Sequence, residues 1–354
     1  MNIIIKLKGK SVMFIQSIRS RTALLGAFLL MTVLLAACGN SNSNSNSNEA
    51  SPSANSAATE SPSATPAASE EPVTYTYKDA LGREVVIPTH PQRVIPTQYL
   101  PEMIAVGMKP VGVASHLLTN FIAIKDQLDG IEDIGAANDP SLEKILTLKP
   151  DLIIVAEWNK DQLENLSKIA PTIVIQWADH DAFEHFKETA AVLGLSDKAD
   201  AWITAYNKKA EDARAELASS VKPGETFGVV AIGGYEMNQL RVYGDSNVGF
   251  TLFNSLQFPM TDTVKTEWAK GNNENGLNIS LEKLSDFASA DRLFLVTFDN
   301  DPDFAKTVNN SGLWKNLPAV KSGKVYNVNP DLWFSYDVMS FNAQLDDAVQ
   351  ILSQ

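Results

Sequence analysis

The chain has 354 residues, with 29 Lys and Arg against 42 Asp and Glu, and a formal charge of −13. That balance argues against nucleic acid, which needs a basic footprint, and against electrostatic adsorption to anionic headgroups. Its single cysteine excludes an internal disulfide framework and any Cys-based metal site.

Residues 1–37 lack Asp and Glu and carry Lys6, Lys8, Lys10, Arg19 and Arg21 ahead of a largely apolar run at 23–35. A basic stretch, a short apolar core and small residues after it predict a secretory signal peptide, too short to remain as a spanning helix. Met13 is an alternative start, because Arg19, Arg21 and the apolar run all follow it. The signal ends Leu35-Ala36-Ala37-Cys38-Gly39, which resembles a bacterial lipobox. On that reading Cys38 becomes the first mature residue and carries the lipid (palmitate), tying an exported, extracytoplasmic protein to the cell membrane. Loss of the five signal bases leaves 24 minus 42, or −18, so the lipid rather than charge must hold the membrane.

Residues 38–71 are Ser/Asn repeats followed by Ser, Ala, Pro and Glu, without apolar periodicity. Such sequence cannot bury enough surface to offset its ordering entropy, and predicts a disordered tether with a reach of roughly 30 Å.

From 72 onward, short apolar runs at 93–96, 110–114, 151–156, 172–176, 227–232, 292–298 and 324–328 alternate with helix-like segments. Continuous apolar strands covered on both faces, alternating with helices, predict an α/β fold with largely parallel sheets. The longest helical signal starts with Ser196 as N-cap and meets no Gly or Pro before Pro223. Ala199, Trp202, Ile203, Tyr206, Ala210, Ala213 and Leu217 form its apolar stripe. Ser141-Leu142-Glu143-Lys144 and Ser280-Leu281-Glu282-Lys283 lie on either side, each followed by a predicted strand starting ten or eleven residues after the serine. This repeated capped-helix-then-strand unit predicts two related lobes, 72–195 and 221–354, joined by a helix at 196–220.

DALGREVVIP at 79–88, PQRV at 91–94, EMIAVGMKPVGV at 102–113, SLEKILTLKPDLII at 141–154 and LPAVKSGKVY at 317–326 carry a family resemblance. Over about 75–350 the chain is similar to the iron-siderophore and cobalamin binding proteins of ABC importers. The resemblance implies two Rossmann-like lobes joined by a single long α-helix, with the ligand in the cleft between them and little hinge closure. It implies a monomer that is not an enzyme and has no cofactor of its own. Its cargo is a ferric siderophore, delivered to a permease dimer with a cytoplasmic ATPase. It also implies that Glu143 and Glu282, one per lobe, dock onto arginine pockets of the permease. An acid in the first turn of a helix is equally well explained by the helix dipole; a two-fold permease adds a reason for one equivalent acid per lobe.

In open α/β lobes the ligand lies beyond the carboxyl ends of the strands. Those positions hold Tyr99, His116, Glu157, Trp158 and Trp177 in the first lobe. In the second they hold Tyr235, Arg241, Tyr243, Phe298, Trp333, Phe334 and Tyr336, with Trp268 on a loop. Aromatics there suit a bulky, partly apolar chelate, although each also fits core packing. Arg241 is the leading candidate, because its fork matches carboxylate or hydroxamate oxygen. With one well-placed base, a hydroxamate or mixed citrate-hydroxamate chelate is favoured over a more anionic catecholate. Direct metal capture is disfavoured: there are four His, and His180 and His185 do not share a helix face. Cobalamin and haem remain alternatives. A hydrolase is the rival from another class, disfavoured because G-x-S-x-G and H-E-x-x-H are lacking and Ser246 sits in a turn-forming Gly-Asp-Ser-Asn.

Overall fold

The structure, a computed structural model, describes residues 73–178, 180–271 and 276–354. The signal peptide, Cys38 and the tether to residue 71 lie outside the described residues.

The chain opens with a hairpin, β1 (Thr74–Lys78) paired antiparallel with β2 (Glu84–Pro88). Its turn explains the start of the DALGREVV motif. The Asp79 carboxylate accepts from the Leu81 and Arg83 backbone N–H groups, and Gly82 supplies a φ of +77°. Arg83 Nε and Nη2 grip Asp79 Oδ2 at 2.9 and 2.5 Å, while Nη2 also donates to Thr172 O at 3.0 Å. One buried carboxylate and its arginine thus fasten the hairpin to the first sheet.

That sheet has the order β3 (Val94–Pro96), β8 (Leu152–Ala156), β9 (Thr172–Ile175), all parallel. Between β3 and β8 come α1 (Leu100–Ala105), β4 (Gly112–Val113), β5 (Glu132–Asp133), β6 (Gly135–Ala136), β7 (Asp139–Pro140) and α2 (Leu142–Leu148). The strand expected at 110–114 shrinks to the two residues of β4, which pair with β5 outside the main sheet. There a Cβ on Gly112 would stand 2.6 Å from Leu148 Cδ1, so any side chain would force Leu148 to shift. α3 (Leu163–Leu166) separates β8 from β9, and α4 (Ala182–Val192) follows. α5 spans Ser196–Leu217, so Ser196 is its first helical residue rather than its cap; Leu195 holds the cap position without a side-chain bond.

The second sheet has the order β12 (Leu277–Asn278), β11 (Leu240–Tyr243), β10 (Phe227–Ile232), β13 (Arg292–Thr297), β14 (Val325–Val328). Its parallel core of β10, β13 and β14 carries an antiparallel flank of β11 and β12. α6 (Asp262–Trp268), α7 (Leu284–Phe287), α8 (Pro302–Asn310), α9 (Gly312–Lys315), α10 (Pro318–Lys321), α11 (Pro330–Trp333) and α12 (Val338–Leu352) complete it. The duplicated units keep their order but differ locally. Ser141 caps α2 through Lys144 N at 3.3 Å, whereas Ser280 makes no cap bond and precedes a 3-10 turn, Leu281–Lys283, ahead of α7.

α5 is the covalent crossing between the two halves, but it is not their only junction. α12 packs on α1 and α4 as well as on α5. Val338 belongs to the core beneath the first sheet; Phe341, Leu345 and Ala348 belong to that of the second. Phe183 and Trp202 pack against both cores. Each fully buried side chain of this kind contributes about 1.5–3 kcal/mol, so parting the halves breaks core packing rather than a surface contact.

Candidate functional site

Between the two halves lies a cleft of about 690 Å³. Tyr99 stands at its base, between β3 and α1, with a φ of +66° that few side chains adopt unless the surroundings impose it. Its hydroxyl donates to Ile175 O at 3.0 Å, tying the end of β3 to the end of β9. Trp177 follows β9, and the loop bearing it is held by Glu157. That carboxylate accepts from Trp177 N at 2.8 Å and Ala178 N at 2.9 Å. Burial alone raises the Glu157 carboxyl, but these N–H donors and nearby His185 outweigh it and leave it below its ordinary value.

The Trp177 ring stacks on His185, centroids 4.5 Å apart, and meets Trp158 edge-on at 5.8 Å. His185 Nε2 donates to Trp177 O at 3.0 Å, and His116 Nε2 lies 3.4 Å from Gln98 Oε1. Burial lowers both imidazoles, which favours their neutral forms at pH 7. From the other half, Phe298 and Phe334 meet at right angles, 4.9 Å apart, and Tyr235 lies edge-on to Phe334 at 5.4 Å. Tyr336, its hydroxyl pushed up to about 12 by burial first and then by Asp181, also lines the cleft. A buried glutamine fixes this wall: Gln344 Nε2 donates to Leu332 O at 2.9 Å and Ser335 O at 3.3 Å, while its Oε1 accepts from Thr251 Oγ1 at 2.5 Å.

Of the residues expected at strand exits, Tyr99, His116, Trp177, Tyr235, Phe298, Phe334 and Tyr336 come together on this cleft. Trp158 is a half-exposed neighbour of Trp177. Arg241 stands one layer behind the wall, 1% exposed, its guanidinium 4.8 Å from the Tyr235 ring and 5.5 Å from Phe334, with Nη2 donating to Gly233 O. Tyr243, Trp268 and Trp333 do not line the cleft. Tyr243 and Trp333 are fully buried, Trp333 donating Nε1 to Asp347 Oδ2 at 2.6 Å. Trp268 lies against Gly244, where a Cβ would stand 2.4 Å from its ring. Their strand-exit positions turn into the second core instead. Glu143 and Glu282 are exposed in the first turns of their helices, and the Ser280 hydroxyl holds the Glu282 carboxyl below its ordinary value.

Sequence reasoning missed Glu102 and Asp337. Both line the cleft, and burial raises Glu102 to about 8, helped by Asp337, and Asp337 to about 6. Glu102 is detectable as the helical neighbour of Tyr99 at i+3, and Asp337 as the N-cap of α12 directly after Tyr336. Among the described residues no group of three His, Cys, Asp or Glu could hold a metal, and no helix is long and apolar enough to cross a membrane.

Residues 97–332 match the family model described as periplasmic binding protein. The chain is 32% identical over 330 residues to the iron(3+)-hydroxamate-binding protein FhuD of Bacillus subtilis, covering 92% of this chain and 96% of that one. A solved FhuD fold-family structure, the binding component of a Fep/Fec-like ferrichrome ABC transporter from Bacillus subtilis, superposes with a TM-score of 0.67 at 31% identity, over 78% of this chain and 100% of the other. SirA of Staphylococcus aureus, solved with staphyloferrin B, superposes with a TM-score of 0.65 at 26% identity, over 79% of this chain and 99% of its own. The shared α/β architecture, the cleft at its strand ends and the family match lead to one conclusion: the chain belongs to the periplasmic binding protein family.

Proposed function

We propose that this protein is the extracytoplasmic solute-binding component of an ABC importer, and that its cleft captures a ferric siderophore of hydroxamate or mixed citrate-hydroxamate type. The observation that carries this reading is the cleft itself: about 690 Å³, walled by Tyr99, Trp177, Tyr235, Phe298 and Phe334. Its size and aromatic lining suit a bulky chelate whose iron is already wrapped. Arg241 supports it from behind: its guanidinium, 4.8 Å from the Tyr235 ring and 5.5 Å from that of Phe334, stiffens the aromatic wall. The iron(3+)-hydroxamate-binding relative and the ferrichrome-transporter structure support the hydroxamate chemistry.

On the same reading Cys38 carries the lipid anchor, residues 38–71 form the tether, and Glu143 and Glu282 face the permease, whose ATPase drives uptake. The lobes are 72–195 and 221–354 about the helix at 196–220, and the two-sided packing of α12 supports a small closure. The test is direct binding. The protein, mixed with a ferric trihydroxamate and desalted, should co-elute with one equivalent of iron and return the chelate unaltered. Hydrolysis of the chelate or elution without iron contradicts the proposal.

A further inference from the structure

Several buried or half-buried acids elsewhere among the described residues are paired. Asp79 is gripped by Arg83, and Glu225 accepts from Lys324 while pairing with Arg292 at 3.0 Å. Glu157 binds two backbone N–H groups. Two acids on the cleft are less fully paired, although Asp337 Oδ1 accepts from Ser340 N at 2.9 Å as the cap of α12. Glu102 on α1 and Asp337 at the start of α12 are each 3% exposed, and Glu102 Oε2 and Asp337 Oδ2 each lack a hydrogen-bond partner. Both line the same cleft, on the packed helices α1 and α12, and the Asp337 charge raises Glu102 further after burial. The titratable groups of the first half around them are Tyr99, on which Glu157, Glu102, Glu188 and Tyr77 all act, and the cleft histidines His116, His180 and His185. Among the described residues lining the cleft there is no Lys or Arg; a third acid, Asp331, lines it too. A buried carboxyl with an unpaired oxygen stays protonated or takes up a cation; the bases lining this cleft are His116, His180 and His185, and burial holds His116 and His185 towards their neutral forms.

We propose that Glu102 and Asp337 form a cation subsite at the floor of the cleft, which takes the free ammonium group of a ferric chelate. This rests on the siderophore reading above and narrows it to chelates of low negative charge that carry a primary amine. The ammonium donates to the two unpartnered oxygens, and the pair becomes an ionised, hydrogen-bonded ion pair. Glu102, held protonated near neutrality, loses its proton to solvent as the ammonium arrives, so binding releases a proton.

The test compares a linear ferric trihydroxamate bearing a free primary ammonium with the same chelate N-acetylated, by fluorescence titration and by calorimetry at pH 7 in two buffers of different ionisation enthalpy. The wild type should prefer the ammonium form by about tenfold or more, the yield of a charge-assisted hydrogen bond, and release close to one proton with that form alone. In Glu102→Gln and Asp337→Asn the ratio of the two affinities should collapse towards one. Equal affinities in the wild type, or identical proton release with both chelates, overturn the subsite while leaving siderophore binding intact. Binding of neither chelate overturns the siderophore reading, and the subsite with it. The wild-type comparison stands even where a variant fails to fold.

Discussion

Replacing Gln344 by leucine tests how the aromatic wall of the cleft is held. The side chain is fully buried, and its amide bonds Leu332 O, Ser335 O and Thr251 Oγ1 at 2.9, 3.3 and 2.5 Å. Leucine fills the space but satisfies none of the three. The Thr251 hydroxyl, 0% exposed, loses its acceptor, and an unmade buried hydrogen bond costs about 1–3 kcal/mol. Ser335 is partly exposed and recovers water, so its share is small; Leu332 O adds about 1 kcal/mol, and the apolar side chain returns some of it. The net loss is about 2–4 kcal/mol in urea denaturation. Because the freed segment carries Phe334 and Tyr336, affinity for a ferric hydroxamate should fall as well, although Gln344 itself does not line the cleft. A stability loss below about 0.5 kcal/mol together with unchanged affinity would refute the positioning role.

Arg83→Ala should destabilise by about 1–3 kcal/mol, measured by urea denaturation, because it strips the guanidinium from buried Asp79 while three backbone N–H donors remain. An unchanged midpoint counts against the staple. The pH dependence of stability carries a signature of Glu102. Its folded value of about 8 exceeds its ordinary 4.5, so between these the folded state holds a proton that the unfolded chain has given up. Stability from this group therefore falls as pH rises across that window, by at most about 1.4 kcal/mol per unit, and Glu102→Gln should remove that slope. His116 and His185, lowered by burial, act in the opposite sense below their ordinary value of 6.5, so the difference between wild type and variant is the quantity to plot. Glu143→Ala and Glu282→Ala should abolish uptake by cells with ligand affinity unaltered; a matching loss of affinity points to a structural role instead.

The sheets were legible because their strands are continuous apolar runs, and residues 152–156 and 227–232 emerged close to their predicted bounds. The β1–β2 hairpin and β11 went unread: their alternating or polar-flanked residues give weaker signals, and the hairpin depends on an Asp79–Arg83 contact that only the folded chain displays. At the site, strand-exit reasoning named Tyr99, Trp177 and Phe298, which line the cleft because the βα turn after a parallel strand opens there. It could not separate Tyr336 from Trp333. Three residues apart, one faces the cleft and the other the core, because α11 ends at Trp333 and the chain leaves the helix before Tyr336. Glu102 and Asp337 were hidden for a different reason. Each reads in sequence as an ordinary helix-start acid, and only packing of α12 against α1 buries the two together.

The most direct test of ferric-chelate capture is tryptophan fluorescence. Of the six tryptophans, Trp177 lines the cleft and Trp158 touches its ring, while Trp314 and Trp333 are buried in the second core. A ferric trihydroxamate should quench emission saturably, and Trp177→Phe should remove most of the change; haem and cobalamin should compete for nothing. Absence of saturable quenching with every ferric siderophore tried, or tighter binding of cobalamin, contradicts the account.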